Sequence, residues 1–278
     1  MNCADLVLVD GHNLLWMAAM GTPASVSSRD GSRDLTGIFM FFALLRKAIR
    51  ENFPSGPEVL VVFDGEMGSA GRKAIDPGYK ANRPQETPLP VKNLPDVKRG
   101  LDAIGLPWTE IGEHEADDVI ASAARHAPGQ HCYIFSRDRD FYQLLSDRVQ
   151  ILNTSRPAGQ RIITPDEVTR RFHVSPDQWC DRSALVGDLS DNIPGIRGVG
   201  TATAARLLAD GLHLEDLPAS GRLTGRTGEA IAASWQQVLT WRNIARAIDT
   251  IELPARPTGE PAPRIPMAAE VIAALDLW

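Results

Sequence analysis

Three aspartates stand at or just beyond the ends of short apolar runs, a position from which side chains can bind a ligand together. Asp10 and Asp64 follow such runs directly, and Asp138 comes shortly after a third. The runs are residues 6–9, 59–63 and 133–136. Because buried parallel strands bring their carboxyl ends to one edge of a sheet, we expect these three carboxylates to meet there. Carboxylates held together repel one another unless a cation neutralises them, so the pattern predicts a cation site.

Further acids occur in clusters along the chain. One cluster, Glu115 to Asp118, lies at the start of a periodic helix. A second, Asp138 and Asp140, flanks Arg139, and a third consists of Asp188 and Asp191. Each cluster has a plainer interpretation, since Asp before Gly favours a turn and acids in a first helical turn stabilise the helix dipole. Their number and convergence favour metal binding instead. The nine candidate ligands are Asp10, Asp64, Glu115, Asp117, Asp118, Asp138, Asp140, Asp188 and Asp191.

The chemistry of these donors narrows the choice of ion and reaction. All are oxygen donors, which suit Mg²⁺ or Mn²⁺ and disfavour zinc and copper. So many acids indicate two or more ions, and two ions about 4 Å apart serve phosphodiester cleavage by stabilising the attacking and leaving oxygens. The sequence contains neither a GxxxxGK[ST] loop nor a GxGxxG after a strand, so a nucleotide cofactor is not indicated. We therefore predict phosphoryl transfer on a nucleic-acid backbone.

The elements that must hold these residues alternate between strand and helix. Helical periodicity is clearest in residues 35–52, 97–104 and 116–126, and residues 149–152 resemble a further strand. Such alternation indicates an α/β fold, a mostly parallel sheet flanked by helices with right-handed crossovers.

A basic, proline-rich stretch separates the second strand from the acidic helix. A charged and proline-rich connection is most often a solvated loop, and a lid over a site is a special case of such a loop. In the second interpretation its cations stabilise developing negative charge, and Tyr79 offers a ring on which a base can stack. Its basic residues are Arg72, Lys73, Lys80, Arg83 and Lys92.

A glycine turn opens a helix in the segment after Asp191. Backbone amides exposed by Gly198 and Gly200 can bind a duplex phosphate without reading bases, and Thr201 and Thr203 lie in the first turn of the helix. A tight turn between two helices with no ligand explains the bare pattern equally well. Its position directly after the last acids favours DNA binding.

The bulk composition is that of a folded enzyme of 278 residues. The net charge of −6 disfavours a nucleic-acid partner, but setting aside the nine candidate ligands turns it into +3. The first residues resemble a buried strand and not a signal peptide, and no apolar run could span a bilayer, so we expect a cytoplasmic protein without membrane association. Cys3, Cys132 and Cys180 are odd in number and widely spaced, which argues against disulfides and zinc.

Six motifs in fixed order give the chain a resemblance to a known family. They are Val9-Asp10-Gly11-His12-Asn13, Phe63-Asp64-Gly65, Tyr79-Lys80-Ala81-Asn82-Arg83-Pro84, Glu115-Ala116-Asp117-Asp118, Asp138-Arg139-Asp140, and Gly187-Asp188 through Ile193-Pro194-Gly195. The chain resembles the bacterial 5′ nuclease family, which includes the N-terminal domain of DNA polymerase I, phage 5′ exonucleases and flap endonucleases. The resemblance implies a PIN-like fold and a structure-specific 5′-3′ exonuclease or flap endonuclease that hydrolyses DNA in replication or repair.

The resemblance also implies roles for individual residues. Tyr79, Lys80 and Arg83 would stand on a helical arch, residues 66–95, through which a single-stranded 5′ end passes, with Lys80 on the scissile phosphate and Arg72 on DNA. One metal would be held by Asp10, Asp64, Glu115 and Asp117, and the other by Asp118, Asp138, Asp140, Asp188 and Asp191. Residues 187–210 would form a helix-hairpin-helix. Many relatives have a lysine at the position of Ala202, and many hold K⁺ at this hairpin, so we expect K⁺ and one phosphate contact fewer.

These expectations give a complete hypothesis with two rivals. We predict a nuclease core in residues 1–170, a helical region in 171–278, and a stand-alone monomeric enzyme that acts on DNA with a 5′ flap or 5′ single-stranded end. A separate polymerase and ligase are plausible partners. A PIN-like ribonuclease and a non-catalytic binder of DNA junctions are the rivals, and the balance of exonuclease and endonuclease action stays open.

Overall fold

The structure, a computed structural model, describes residues 3–21, 25–83, 89–127 and 129–278. Residues 84–88 of the predicted arch lie outside these ranges. The strands are β1 Leu6–Asp10, β2 Glu58–Asp64, β3 Trp108–Ile111, β4 Cys132–Phe135, β5 Val149–Leu152 and β6 Ile162–Ile163. The helices are α1 Gly11–Met20, α2 Thr36–Asn52, α3 Ala70–Ile75, α4 Leu89–Lys92, α5 Leu94–Ala103, α6 Ala116–His126, α7 Pro165–Phe172, α8 Trp179–Val186, α9 Thr201–Leu207, α10 Gly225–Ala233, α11 Trp235–Ala245 and α12 Ala268–Ala274.

A single sheet of six strands carries the chain's first half. Its order is β3-β2-β1-β4-β5-β6, and all neighbouring pairs are parallel except β5 with β6. In the register of this sheet Asp10 lies opposite Val62 of β2, and Val9 lies opposite Phe135 of β4. The carboxyl ends of the three central strands therefore share one edge, as the sequence predicted, and the α/β class with a mostly parallel, helix-flanked sheet is confirmed.

Both faces of the sheet are covered, which explains the continuous apolar runs. Alternate residues of β1 enter two cores: Val7 and Val9 pack with α1, α2, α5 and α12, whereas Leu6 and Leu8 pack with α6 and the helices of the second half. All five residues of β1 are buried. A strand buried on both sides has no solvent-facing row, so its sequence shows no polar alternation.

The end of the chain returns to the sheet. Helix α12 packs on α2 and α5, and Val271 and Ile272 are fully buried in the same core as Val7 and Phe41. The predicted second unit, residues 171–278, is therefore not one packing unit, because its last part belongs to the α/β layer. Within the described ranges, no helix is both long and apolar enough to cross a bilayer.

Candidate active site

The junction between β1 and α1 anchors the first acid. Asp10 ends β1 and caps α1, accepting a hydrogen bond from the Asn13 amide at 2.9 Å. Its second oxygen accepts the Ser136 hydroxyl at 2.8 Å, and Ser136 Oγ accepts the Asp138 amide at 3.0 Å. Asp138 Oδ1 in turn accepts the Asp140 amide at 3.0 Å. One chain of hydrogen bonds thus fixes three predicted ligands across the ends of β1 and β4.

The end of β2 is tied to the start of α6. Asp64 Oδ1 accepts the Ala116 amide at 2.8 Å, which joins the second strand-end acid to the acidic helix. His12 Nδ1 accepts the Asp64 amide at 3.1 Å and lies 3.4 Å from Asp64 Oδ2. His12 therefore orients this strand end, as a structural histidine would.

A buried arginine neutralises part of the acidic helix. Arg72 on α3 donates to both oxygens of Asp118 at 2.7 Å and to Glu115 Oε2 at 2.9 Å. It also donates to the carbonyls of Ile244 at 2.8 Å and Arg246 at 3.1 Å. Because the Arg72 side chain is only 11% exposed, it joins α3, α6 and the end of α11 from within.

This network changes two predicted roles. Asp118 is 1% exposed, and Arg72 and the Ile248 amide occupy its oxygens, so the geometry does not support a metal ligand there. Arg72 was expected to contact DNA, but its guanidinium faces inward. Both residues instead form a bidentate ion pair that holds the site together.

Two neighbours in the predicted arch also turn inward, towards Glu115. Tyr79 is 4% exposed and donates its hydroxyl to Glu115 Oε2 at 2.8 Å, so its ring is not available for stacking on a base. Lys80 pairs with Glu115 Oε1 and lies 3.7 Å from Asp191 Oδ1. Its φ of 52° is rare for a residue with a side chain. Such local strain persists only where the surroundings hold the residue in place.

The loop that carries the last two acids is built on close backbone contacts. Added Cβ atoms would lie 2.7 Å from the Ile193 carbonyl oxygen at Gly187 and 2.4 Å from the Gly187 nitrogen at Gly195. Both glycines also have positive φ, of 92° and 65°. Only glycine fits such a crossing, so the Gly187 and Gly195 of the sixth motif are explained by backbone geometry.

The same loop is bound to the arch segment. Lys80 donates its amide to the Asp191 carbonyl at 2.9 Å, Asn82 donates to the Leu189 carbonyl at 2.8 Å, and Asn192 donates to the Gly78 carbonyl at 2.7 Å. Arg83 Nη2 lies 3.4 Å from Asp191 Oδ1. The described arch residues are therefore fixed beside the acids, with α3 and α4 as their only helices before α5.

Four acids at this edge are held at an electrostatic cost. Burial, together with Asp64 and Asp138, raises the pKa of Asp10 to about 7. Burial and neighbouring carboxylates raise the pKa values of Asp117 and Asp140 well above the usual range. The pKa of Asp191 is also raised by burial, and Lys80 partly opposes this shift. Mutual repulsion of this kind is relieved when a cation is bound.

Two cavities share Lys80 and Arg83 in their walls. One, of about 530 Å³, lies against the acids and includes Trp16, whose side chain is 40% exposed. The other, of about 540 Å³, is bordered by Lys73 and Glu115, and Asp64 borders both. The first cavity is lined by Asp10, His12, Asn13, Trp16, Asp64, Lys80, Arg83, Val91, Asp117, Asp138 and Ser190.

The acids surround this space and do not converge on one point. Among the described residues, no three His, Cys, Asp or Glu side chains form a ready-made metal cage. The donor set nevertheless fits hard divalent ions, since every acid facing the cavity offers oxygen and the raised pKa values at Asp10, Asp117 and Asp140 mark unneutralised charge.

The predicted hairpin, residues 187–210, contains one α-helix, α9, and the helix that precedes its turn is α8, which ends at Val186. Gly198 has φ of 87° and is exposed, and Gly200 is the exposed N-cap of α9. Thr201 is exposed and Thr203 is half-buried. Ala202 is exposed, and the first turn of α9 carries no charged side chain.

Sequence reasoning missed several residues that shape the site. Ser136 links Asp10 to Asp138, and Trp16 borders the acidic cavity, but serine and tryptophan in these contexts carry no metal-ligand signal. Helix α1 was also missed, since helical periodicity was recognised only in later segments of the chain. The pattern that could have predicted α1 is the helical spacing from Asn13 to Trp16, which places both side chains on one side of a helix.

An acidic edge of an α/β sheet, with cations on its far side, is the type of site found in metal-dependent phosphodiesterases. Residues 5–173 match the family model described as 5′-3′ exonuclease, N-terminal resolvase-like domain, and residues 174–261 match 5′-3′ exonuclease, C-terminal SAM fold. The chain belongs to the 5′-3′ exonuclease family. The predicted 5′-3′ exonuclease family and the helical C-terminal region are thereby confirmed.

Curated relatives agree with this membership. The chain is 38% identical over 217 residues to a thermostable DNA polymerase I of Thermus aquaticus. The aligned region covers 76% of this chain and 24% of that protein. It is 32% identical over 257 residues to DNA polymerase I of Mycobacterium bovis, covering 91% of this chain and 28% of that protein. The chain thus spans about a quarter of the length of these relatives.

A solved structure supports the fold. The D15 flap endonuclease of bacteriophage T5, in a complex with DNA and metal ions, superposes with a TM-score of 0.68 at 20% identity, covering 98% of this chain and 94% of that one. At this identity the likeness concerns the fold. The two family models meet at residues 173 and 174, and the division after residue 170 stays a prediction.

Proposed function

We propose that this protein is a structure-specific 5′ nuclease that hydrolyses DNA phosphodiesters close to a 5′ flap or 5′ single-stranded end. The observation that carries the proposal is a cavity lined by charges of both signs. Asp10, Asp117 and Asp138 line it together with Lys80 and Arg83. A polyanion can enter such a site only where cations offset the acids, and the arch segment supplies two of them.

Divalent ions, Mg²⁺ or Mn²⁺, complete the proposal. When bound, they supply charge stabilisation for the attacking and leaving oxygens and lower the pKa of water. Asp118 supports the site and is left out of the ligand set. The residues that would hold the ions are Asp10, Asp64, Glu115, Asp117, Asp138, Asp140, Asp188 and Asp191.

Lys80 and Arg83 bind and orient the phosphate in this account. Burial alone would lower the pKa of Lys80, but Asp191, Glu115 and Asp117 outweigh it and raise the pKa. Lys80 therefore keeps its positive charge at neutral pH. Held at Glu115 and near Asp191, its ammonium can shift from a carboxylate to a phosphate oxygen without losing a charged partner.

The cavities suggest how a single strand reaches the acids. Two cavities that share Asp64, Lys80 and Arg83 lie along the arch segment and the sheet edge, which suits a strand that passes between these two elements. Trp16, not Tyr79, presents a ring to this path, and a base stacked on an aromatic side chain gains about 1–3 kcal/mol. Substituting Trp16 with Ala should raise KM for a flap substrate, whereas Trp16→Phe should restore most of the affinity.

Several parts of the hypothesis go beyond the site itself. The exposed glycines of the hairpin, with Thr201 and Thr203, are suited to non-specific duplex contact, and K⁺ at this hairpin is part of the proposal. The cytoplasmic location, the monomeric state and cooperation with a polymerase and a ligase in replication or repair stay predictions from the sequence.

The test is cleavage of a 5′-labelled flap duplex with and without Mg²⁺ or Mn²⁺, beside an Asp138→Ala control. We expect metal-dependent cutting near the flap base that the variant loses, with substrate binding retained. Binding without cutting would support the junction-binding rival. Faster cleavage of single-stranded RNA than of flapped DNA would support the ribonuclease rival.

A further inference from the structure

An arginine that forms no ion pair with a carboxylate among the described residues lies beside the hairpin. Arg182 belongs to α8, and its guanidinium carbon lies 4.7 Å from the centre of the Trp179 ring and 5.2 Å from that of the Phe172 ring. Nη2 donates to Thr201 Oγ1 at 3.0 Å, and the buried Nε has no hydrogen-bond partner among the described residues. Two aromatic rings and one hydroxyl thus hold this guanidinium in a fixed plane.

The surroundings of Arg182 disfavour its positive charge. Burial, followed by the nearby charge of Arg139, lowers the pKa of Arg182, and only Asp188 opposes this shift. Arg139 is exposed and stands in sequence between two of the proposed metal ligands, Asp138 and Asp140. Arg139 therefore adds a second positive charge within electrostatic reach of Arg182.

An oxyanion is the ligand that such a pair fits. Like charges repel when no anion lies between them, and the planar fork of arginine matches phosphate oxygens. Stacking on aromatic rings reduces the conformational entropy that arginine loses on binding, because its plane is already fixed. Helix α9 itself offers no cation in its first turn, where Ala202 is exposed, so positive charge at this hairpin comes from Arg182 on α8 and from the exposed Arg197 in the loop before α9.

We propose that Arg182, assisted by Arg139, binds a backbone phosphate in the duplex part of the DNA substrate, next to the strand that is cut. The proposal rests on the proposed function, since it takes DNA as the ligand. A contact of this kind carries no base readout and fixes the position of the duplex relative to the acids. Arg182 is a binding residue in this account and takes no part in the chemical step.

The experiment measures binding apart from cleavage. Affinity for a 5′-labelled flap duplex is measured in Ca²⁺ over a range of salt concentrations for the wild type, Arg182→Gln, Arg182→Lys and Arg171→Gln. Arg171 is the matched control, because its guanidinium also lies over the Phe172 ring, at 5.2 Å, but on α7. Thermal unfolding of each variant accompanies the titration, and single-stranded DNA of the flap sequence serves as the second ligand.

For Arg182→Gln we expect about tenfold weaker duplex binding, because one charge-assisted hydrogen bond is lost. The salt slope, that is the slope of log affinity against log salt concentration, should be smaller in magnitude by about one unit. Arg182→Lys should keep the slope, Arg171→Gln should bind like the wild type, and single-strand affinity should change less than duplex affinity. In cleavage assays KM should rise while kcat stays near the wild-type value.

Two results would overturn the proposal: an unchanged salt slope in Arg182→Gln, or an equal loss in Arg171→Gln. If Arg182→Gln unfolds at the assay temperature, Arg182→Lys and Arg171→Gln still test the proposal. A smaller salt slope in Arg182→Lys would contradict a contact between charges, because lysine keeps the positive charge. Failure of the wild type to cut any DNA would reject the proposed function, and it would leave the salt slopes as a separate measurement.

Discussion

The acids of the site fall into two groups that differ in how their charge is balanced. Glu115 and Asp118 are neutralised by the protein's own cations: Arg72 lies 2.9 Å from Glu115 and 2.7 Å from Asp118, and Lys80 pairs with Glu115. Asp10, Asp117 and Asp140 form no ion pair with lysine or arginine among the described residues, and burial and repulsion raise their pKa values. The ion pairs of the first group stabilise the fold, and of this group only Glu115 belongs to the proposed ligand set, whereas the second group stores repulsion that a bound cation can relieve.

The largest expected effect comes from the second group. Asp117→Asn should lower kcat for flap cleavage by at least about a hundredfold, because charge stabilisation at the reacting phosphate depends on this position. The same variant should raise the Tm of the metal-free protein, since it removes one of several repelling charges. A variant that keeps kcat would contradict the assignment of Asp117 to the site.

Asp118→Ala addresses the first group and should act on stability. Removing one partner of a buried ion pair costs about 3–5 kcal/mol, because Arg72 is left without its bidentate partner. Chemical denaturation measures this loss. At a temperature where the variant is folded, kcat should change far less than in Asp117→Asn. A loss of kcat equal to that of Asp117→Asn, in a protein of wild-type stability, would assign Asp118 to the metal.

The comparison also predicts a dependence on pH. The pKa of Asp10 is about 7 in the folded protein against an ordinary value of 3.8, so the folded state binds more protons than the unfolded state between these values. The stability of the metal-free protein should therefore fall as pH rises through this window. Because a cation competes with these protons, the increase in Tm caused by Mg²⁺ should be larger at about pH 8 than at about pH 5.

Calorimetric unfolding in EDTA and in Mg²⁺ at several pH values measures this effect. An Mg²⁺-induced increase in Tm that is the same at all pH values would indicate that the raised acids do not hold the ion. Asp117→Asn is the control here, since it should reduce the increase at high pH.

The smallest effect belongs to Tyr79→Phe. This change removes one hydrogen bond to Glu115, which keeps Arg72 and Lys80 as partners, so about 1 kcal/mol of stability should be lost. Denaturant titration detects a difference of this size. A large loss of duplex affinity with unchanged stability would instead place Tyr79 in contact with DNA.

The strand-end positions were predictable because they follow from local patterns. Asp10 and Asp64 end continuous apolar runs, and parallel strands bring such ends together whatever the rest of the chain does. The α6 acids were placed correctly at a helix start for the same reason. Motif order carried the family assignment, and its matched models confirm it.

The missed features depend on contacts between distant residues. Arg72 meets the carbonyl of Ile244, which lies 172 positions away, and no local pattern separates a buried arginine from a DNA-binding one. Tyr79 was interpreted as exposed because its neighbours are basic, yet its ring packs inward. Strand β3 was missed since its four residues are all half-buried and too few to show a period.

The most direct test of the two acid groups is a calorimetric titration of Mn²⁺ into the wild type, Asp117→Asn, Asp140→Asn and Asp118→Asn. The account predicts two ions per chain for the wild type, loss of at least one in each of the first two variants, and wild-type stoichiometry in folded Asp118→Asn. Binding of Mn²⁺ that is lost in Asp118→Asn but retained in Asp117→Asn would contradict it.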